Sequence, residues 1–311
     1  MNQSKGAVLG AVIVGLSCLW VHEILLAQST PKQCATRLSF AITGKAPTPA
    51  FLGSADPQLE GAVRALVDSE DFRERFARFA NSQWNEGPGA NSQEDATYHM
   101  VKHTLTTKLP WKNVFVGPYN VVDDNNNVRV ESDSNGLGYT RSRAWMERYA
   151  GNEGDGVRIS TAYRVMQNSF GVELGAINLP AGADTTVNGR NVQQPCKSCH
   201  FDQVTALDPA SVPFPRVIRS NNQVSFGPPN TNPVDVLGGN TVIDDTDFMN
   251  LLAESIDAKY HACQLAYKYL TGRKEFSCDK SVMDSCLAAF ESTGQIEDAL
   301  VSIATDKTYC E

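Results

Sequence analysis

Apolar positions in this chain fall into stretches of helical spacing, separated by polar connections rich in Asn, Gly and Pro. The segment CATRLSFAITGKAPTPAFL predicts a short helix ending at Thr43–Gly44, followed by a Pro-containing turn. In DPQLEGAVRALVDSEDFRERFARFANSQW, Leu59, Val63, Leu66, Phe72, Phe76 and Phe79 form one stripe, the mark of a helix packed on a core. DATYHMVKHTLTTKL predicts another helix, stopped by Pro110, and VRISTAYRVMQNSFGVEL a further one. DDTDFMNLLAESIDAKYHACQLAYKYLTG reads as one long helix. Asp244, Asp245 or Thr246 caps it, Leu251, Leu252, Ile256, Tyr260 and Cys263 face inward, and Gly272 stops it. SVMDSCLAAFESTG and IEDALVSIAT add two more helices.

Between these stretches the pattern is lost. From Pro118 to Gly156 the runs DDNNN, ESDSNGLG and GNEGDG are turn and loop signals. DDNNNVRVESDS lacks the central glycine and terminal glutamate of a calcium-binding loop, which favours solvated loop over a calcium site. LPAGADTTVNGRNVQQP reads as a loop, and DPASVPFPRVIRSNNQVSFGPPNTNPVD as chain wrapping a surface without long elements.

The N-terminus has its own pattern. MNQSK gives a short basic start, GAVLGAVIVGLSCLWV is uninterrupted and apolar, and HEILLAQST leads into polar chain, an export signal. Leu25–Leu26–Ala27 is an imperfect cleavage site. Uncleaved, Gly6 to Ala27 comes near the ~20 residues that span a bilayer. Lipid attachment at Cys18 is a third option, poorly supported by Gly15–Leu16–Ser17 before it.

The expected fold is mainly α, in four parts. Residues 1–27 are a signal peptide or membrane anchor, and 28–150 a helical N-terminal region. Residues 151–240 form a loop-rich segment that contains Cys196, Cys199 and His200, and 241–311 a helical C-terminal region tied by disulfides. The 311 residues, 41% hydrophobic and 20% charged, suit a globular chain with a sizeable core. A formal net charge of −8 argues against nucleic acid or an anionic membrane surface as the main partner. A protein partner steered by that charge would dock through a basic patch.

The chemistry lies in NVQQPCKSCHFDQ, where Cys196 and Cys199 are followed by His200. Covalent haem c needs two thiols placed for the two vinyl groups and an imidazole beside them for the iron; Cys-x-x-Cys-His supplies all three within one turn. A thioredoxin-like dithiol would want a βαβ context, which the approach through Pro195 from a loop does not offer; structural zinc would want a second Cys or His pair at finger spacing, and no other Cys-x-x-Cys occurs in the chain. The expectation is one covalent haem c, with Cys196 and Cys199 as thioether residues and His200 as proximal ligand. Export agrees with it, because covalent attachment takes place outside the cytoplasm. The sixth iron position is open: Met249, then Met166, then His261 are the ordered candidates, with Met100, His99 and His103 behind them. His99 and His103 stand four apart without the glutamate of a zinc-protease helix, so a surface pair is expected there. Of the remaining cysteines, the crowded C-terminal ones suggest Cys278–Cys286 and Cys263–Cys310, leaving Cys34 odd.

CKSCHFDQVTALDPA and DFMNLLAESIDAKYHACQLAYKYLTGR together resemble the cytochrome c-like proteins abundant in planctomycetes and myxobacteria. The matching positions are Cys196, Cys199, His200, Asp208, Pro209, Ser255, Cys263, Tyr269, Gly272 and Arg273. RLSFAITGKAPTPAFL and LTTKLPWKNVFVGPYNVV resemble segments N-terminal to the haem in that group. The resemblance implies a mostly helical, exported haem protein. Many members carry methionine before the Asp-Pro, where this chain has Leu207, which cannot ligate iron. The functional expectation is a monohaem carrier of single electrons between redox partners, in the periplasm or anchored to its membrane, rather than a catalyst. The alternatives are a haem enzyme or sensor with an open distal site, aided by His103, Arg158 or Arg164, and a haem-bearing structural subunit of a surface complex.

Overall fold

Two serines interrupt the longest apolar stripes. The computed structural model describes residues 29–310 except 86, 90–94, 125–126, 151–157, 175–181 and 222; the export segment with Cys18 lies outside the described residues. The stretch expected as one helix from Leu59 onward is two, Glu60–Val67 and Glu70–Trp84. Between them the Ser69 hydroxyl donates to the Leu66 carbonyl at 2.6 Å and accepts the Phe72 N–H at 3.2 Å. The later stretch breaks in the same way into Asp245–Glu254 and Ile256–Thr271. There the Ser255 hydroxyl donates to Leu252 at 2.7 Å and accepts from Ala258 at 3.0 Å. A serine that satisfies the backbone on both sides ends one helix and caps the next. Leu59, expected inside, precedes the first helix as its N-cap residue and is exposed. The break at Ser255 turns Ile256 and Tyr260, also expected inside, to the exposed side, while Val63, Phe72, Phe76, Leu252 and Cys263 are buried.

The chain divides into two compact units: residues up to Arg75 with those from Cys263 onward, and Phe76–Ala262. The expected segment boundaries at 150 and 240 both fall within the second unit. No helix among the described residues is long and apolar enough to cross a membrane.

In the first unit, Thr30 caps the Pro31–Thr43 helix in a reciprocal box with Gln33, and Gly44, at φ 74°, closes it. This helix and Ile296–Ala304 both pack on Glu60–Val67. Leu38, Ile42, Val63, Val67, Leu300 and Ile303 are sealed from water between them. Arg64 adds an ion pair to Asp298 at 2.8 Å. Burying six aliphatic side chains at ~1.5–3 kcal/mol each far exceeds what that half-exposed pair can add.

The C-terminal region is disulfide-tied, but the pairs differ from those expected. Cys34 bonds Cys310 and Cys263 bonds Cys286, with Cα–Cα distances of 5.3 and 6.0 Å. Cys278 sits on an exposed single turn, Ser277–Asp279, and takes part in neither. The reason is geometric: Cys263 and Cys286 lie on the buried faces of two helices, whereas closeness in sequence sets no distance in space.

The second unit is helical, with three two-stranded antiparallel hairpins among the described residues. The polar run from Pro118, expected as loop, contains the hairpin Tyr119–Asp124 with Asn127–Ser132, in which Val121 faces Val130. It also contains the Arg143–Arg148 helix. Valines flank the Asp/Asn run on both sides, and their alternation outweighs the polar composition. The Ala96–Thr107 helix packs against this hairpin. A cluster of Trp84, Trp111, Phe115, Tyr139, Trp145 and Tyr149 fills the core, with successive ring centroids 5.0 to 6.4 Å apart. The surface-wrapping stretch supplies the hairpin Val217–Ser220 with Gln223–Phe226, and the last hairpin, Val234–Val236 with Asn240–Val242, begins at its end and closes beyond it.

A non-reducing peptide map should link Cys34 to Cys310 and Cys263 to Cys286. Cys310→Ala should cost about 2–5 kcal/mol in denaturant unfolding. Cys278→Ala should stay within about 0.5 kcal/mol of wild type.

Candidate functional site

The site is built from three short elements of the second unit. Thr186 opens the first, Val187–Val192, by accepting the Gly189 N–H at 3.2 Å. Gly189 backs directly onto Asp184, where an added Cβ would lie 2.3 Å from the Asp184 carbonyl oxygen. A side chain is therefore excluded at that position. One residue on, Arg190 turns inward and is 6% exposed. The chain then passes through Pro195 into a π-helical turn, Ser198–Asp202, closed by the Gln203 N–H on the Ser198 carbonyl at 3.2 Å. Such wide turns recur at functional positions. The third element, Leu207–Ser211, packs against the π turn, against the Ile159–Phe170 helix and against strand Val234–Val236.

His200, Asp208 and Arg190 meet there. His200 Nδ1 lies 2.7 Å from Asp208 Oδ2. Arg190 grips the same carboxylate with two donors, Nη2 to Oδ1 at 2.7 Å and Nε to Oδ2 at 3.1 Å, and also donates to the Thr185 carbonyl. Both side chains of the ion pair are 7% exposed. Burial alone pushes the Asp208 carboxyl up. The hydrogen bonds from His200 and Arg190, with the guanidinium charge, outweigh it and hold the group below the usual carboxylate range. An ionised carboxylate can only accept, so Nδ1 donates its N–H to Asp208, and in the neutral ring Nε2 carries the lone pair.

Cys196 is buried and Cys199 half-buried, and neither is in a disulfide. Two thiols and an imidazole with an available Nε2 thus stand within five residues. Val192 and Val204, flanking the motif in sequence, are 75% and 65% exposed. The set suits a flat apolar group carrying a metal and attached through sulfur. Among the described residues no three or more His, Cys, Asp and Glu side chains converge as a protein-only metal cage.

The candidates for the sixth iron position all lie in this unit. Met166, on Ile159–Phe170, and Met249, on Asp245–Glu254, are fully buried, and these two helices pack together. His261 lies against Gly171 at the end of Ile159–Phe170, where an added Cβ would be 2.5 Å from its Nδ1. Met100 is buried on Ala96–Thr107. His99 faces Tyr98, ring to ring at 5.0 Å. His103, expected at the surface, instead packs its ring 4.9 Å from that of Tyr119 and buries Nε2; burial lowers its pKa. Arg158 is buried over the rings of Phe214 and Phe226. Arg164 lies over Tyr149 and Tyr163 and donates to Gln167 at 2.8 Å.

Arg190 was not among the residues singled out in the sequence, and Asp208 entered only as half of an Asp-Pro step. Their partnership joins positions 18 apart across two short elements, a distance at which no local pattern operates. Comparison with protein-family models, with curated proteins and with solved structures finds no match for this chain.

Asp208→Ala would leave the Arg190 guanidinium buried without its partner. It should cost about 3–5 kcal/mol in urea unfolding. Lys197→Ala, which breaks the half-exposed pair with Asp202 on the same turn, should cost no more than about 1 kcal/mol.

Proposed function

We propose that the chain is an exported monohaem c-type cytochrome that carries single electrons between redox partners. The observation that carries this reading is the pair of thiols in one turn with an imidazole whose Nδ1 is already committed to a buried carboxylate. Cys196 and Cys199 hold the group through sulfur, and His200 presents Nε2 to the iron. When bound, the haem supplies a one-electron ferric–ferrous couple. Asp208 fixes the His200 ring plane and tautomer. Met249 comes first for the distal position, then Met166, then His261. The resemblance to the planctomycete and myxobacterial cytochrome c-like proteins supports the same reading. The net charge of −8 favours a partner with a basic docking face.

A second reading, a haem enzyme or sensor with an open distal position, draws on the same hydrogen bond. A carboxylate on Nδ1 would make His200 a strong donor, the property a haem held with an open position would use in ligand chemistry.

The test is expression of the full chain in a host with a covalent haem-attachment apparatus, followed by spectra of both oxidation states with and without carbon monoxide. The expected outcome is one haem that survives denaturation, low-spin and unmoved by carbon monoxide. Cys196→Ala and Cys199→Ala should each remove one thioether, seen as a shift of the alkaline pyridine spectrum. If Met249 ligates, Met249→Leu should abolish the weak near-infrared band of methionine–iron(III) ligation. A high-spin ferric form that binds carbon monoxide on reduction would favour the second reading. Absence of covalent haem would overturn both.

A further inference from the structure

We propose that Asp208 and Arg190 act as an opposed pair that sets how strongly His200 donates to iron, and so sets the reduction potential. Asp208 is a positioning residue that strengthens the ligand, and Arg190 limits that strengthening. The inference rests on the haem reading above. Its basis is how the Asp208 carboxylate is shared. Oδ2 accepts from both His200 Nδ1 at 2.7 Å and Arg190 Nε at 3.1 Å, while Oδ1 accepts Arg190 Nη2 at 2.7 Å.

The physical argument has two halves. A metal-bound imidazole donates its second N–H outward, and the basicity of the acceptor decides how much negative charge reaches the metal-binding nitrogen. A carboxylate is a stronger acceptor than a neutral carbonyl, so Asp208 enriches Nε2. A richer donor stabilises the ferric state more than the ferrous and lowers the potential. Arg190 opposes this, because each N–H it gives the carboxylate draws away charge that His200 would otherwise receive. Both partners are 6% exposed, so water does little to level their effects.

Arg190 is also held so that it stays in place. It donates to the Thr185 carbonyl beside the cap of Val187–Val192, and that helix packs on the π turn carrying His200. An ion pair at the π turn itself, Lys197–Asp202 at 3.2 Å, has side chains 40% and 45% exposed, where solvent screens it. It serves as an internal control.

The experiment is a spectroelectrochemical titration of the haem-loaded full chain. Outer-shell partners of a metal ligand are worth at least about tenfold in metal affinity, and a tenfold change in one oxidation state's relative affinity is about 59 mV for one electron. Asp208→Asn should therefore raise the potential by at least about that much, and Asp208→Glu should recover most of the loss. Arg190→Gln should move the potential the opposite way, downward. Lys197→Gln should leave it close to wild type. A purely structural role predicts that Asp208→Asn and Arg190→Gln shift the potential in the same direction, since each loosens the same contact. Shifts of the same sign, or none beyond that of Lys197→Gln, would overturn the proposal. If Arg190→Gln fails to accumulate folded, the Asn and Glu variants at 208 still decide it: equal potentials in the two refute it. Covalent haem in the wild-type chain is scored separately, by retention of the chromophore in denaturant. Its absence would count against the haem reading itself, whereas haem present with an unmoved potential would sink only this inference.

Discussion

A guanidinium and a carboxylate, each nearly sealed from water, hold together the part of the molecule where the chemistry lies. The elements they join are short: six residues in Val187–Val192, five in Ser198–Asp202 and five in Leu207–Ser211. Helical pieces of that length do not persist alone. A buried ion pair is weak evidence of net stability, because desolvation cancels much of its Coulomb energy. Its value here is directional. The fork of Arg190 fixes the plane of the Asp208 carboxylate, and that plane fixes the ring of His200. Packing of Leu207–Ser211 on Ile159–Phe170 supplies the apolar support that the polar pair cannot.

The first unit answers a similar difficulty by different means. Its packed helices are short, and they come from the two ends of the described chain. Aliphatic burial between Pro31–Thr43, Glu60–Val67 and Ile296–Ala304 gives the driving force. The Cys34–Cys310 bond, spanning 276 residues, removes the entropy of keeping such distant segments together. In both units, contacts distant in sequence complete what local helix formation begins.

This dependence explains what could be read from the sequence. Helix ends with a glycine in the left-handed region were legible at Gly44 and Gly272 because the signal is local, whereas the stretch read as helix through Gly171 ends there. The breaks at Ser69 and Ser255 were also written locally, as a serine three residues before the N–H it accepts, but the continuous apolar stripe masked them. The valine hairpin around the Asp/Asn run was hidden by its composition. The disulfide partners were not legible at all, since four C-terminal cysteines close in sequence suggest pairings that their helix faces forbid. Cys196, Cys199 and His200 stood out because their spacing is itself the signal. Arg190 and Asp208, which complete the site, carry no such spacing.

On the proposed reading, the local motif and the distant ion pair divide the work. In a metal site held only by coordination, an outer-shell carboxylate contributes to keeping the metal as well as to its reactivity. Here retention would rest with the two thioethers, whose bonds do not depend on the oxidation state of the iron. The strength of the His200 donor would then matter little for holding the group. It would act almost wholly on the balance between ferric and ferrous states. A buried, charge-balanced carboxylate is well placed for that task, because its influence does not vary with the solvent. The costly burial of Asp208 and Arg190 thus makes most sense as control of potential, with attachment left to the sulfur atoms beside them.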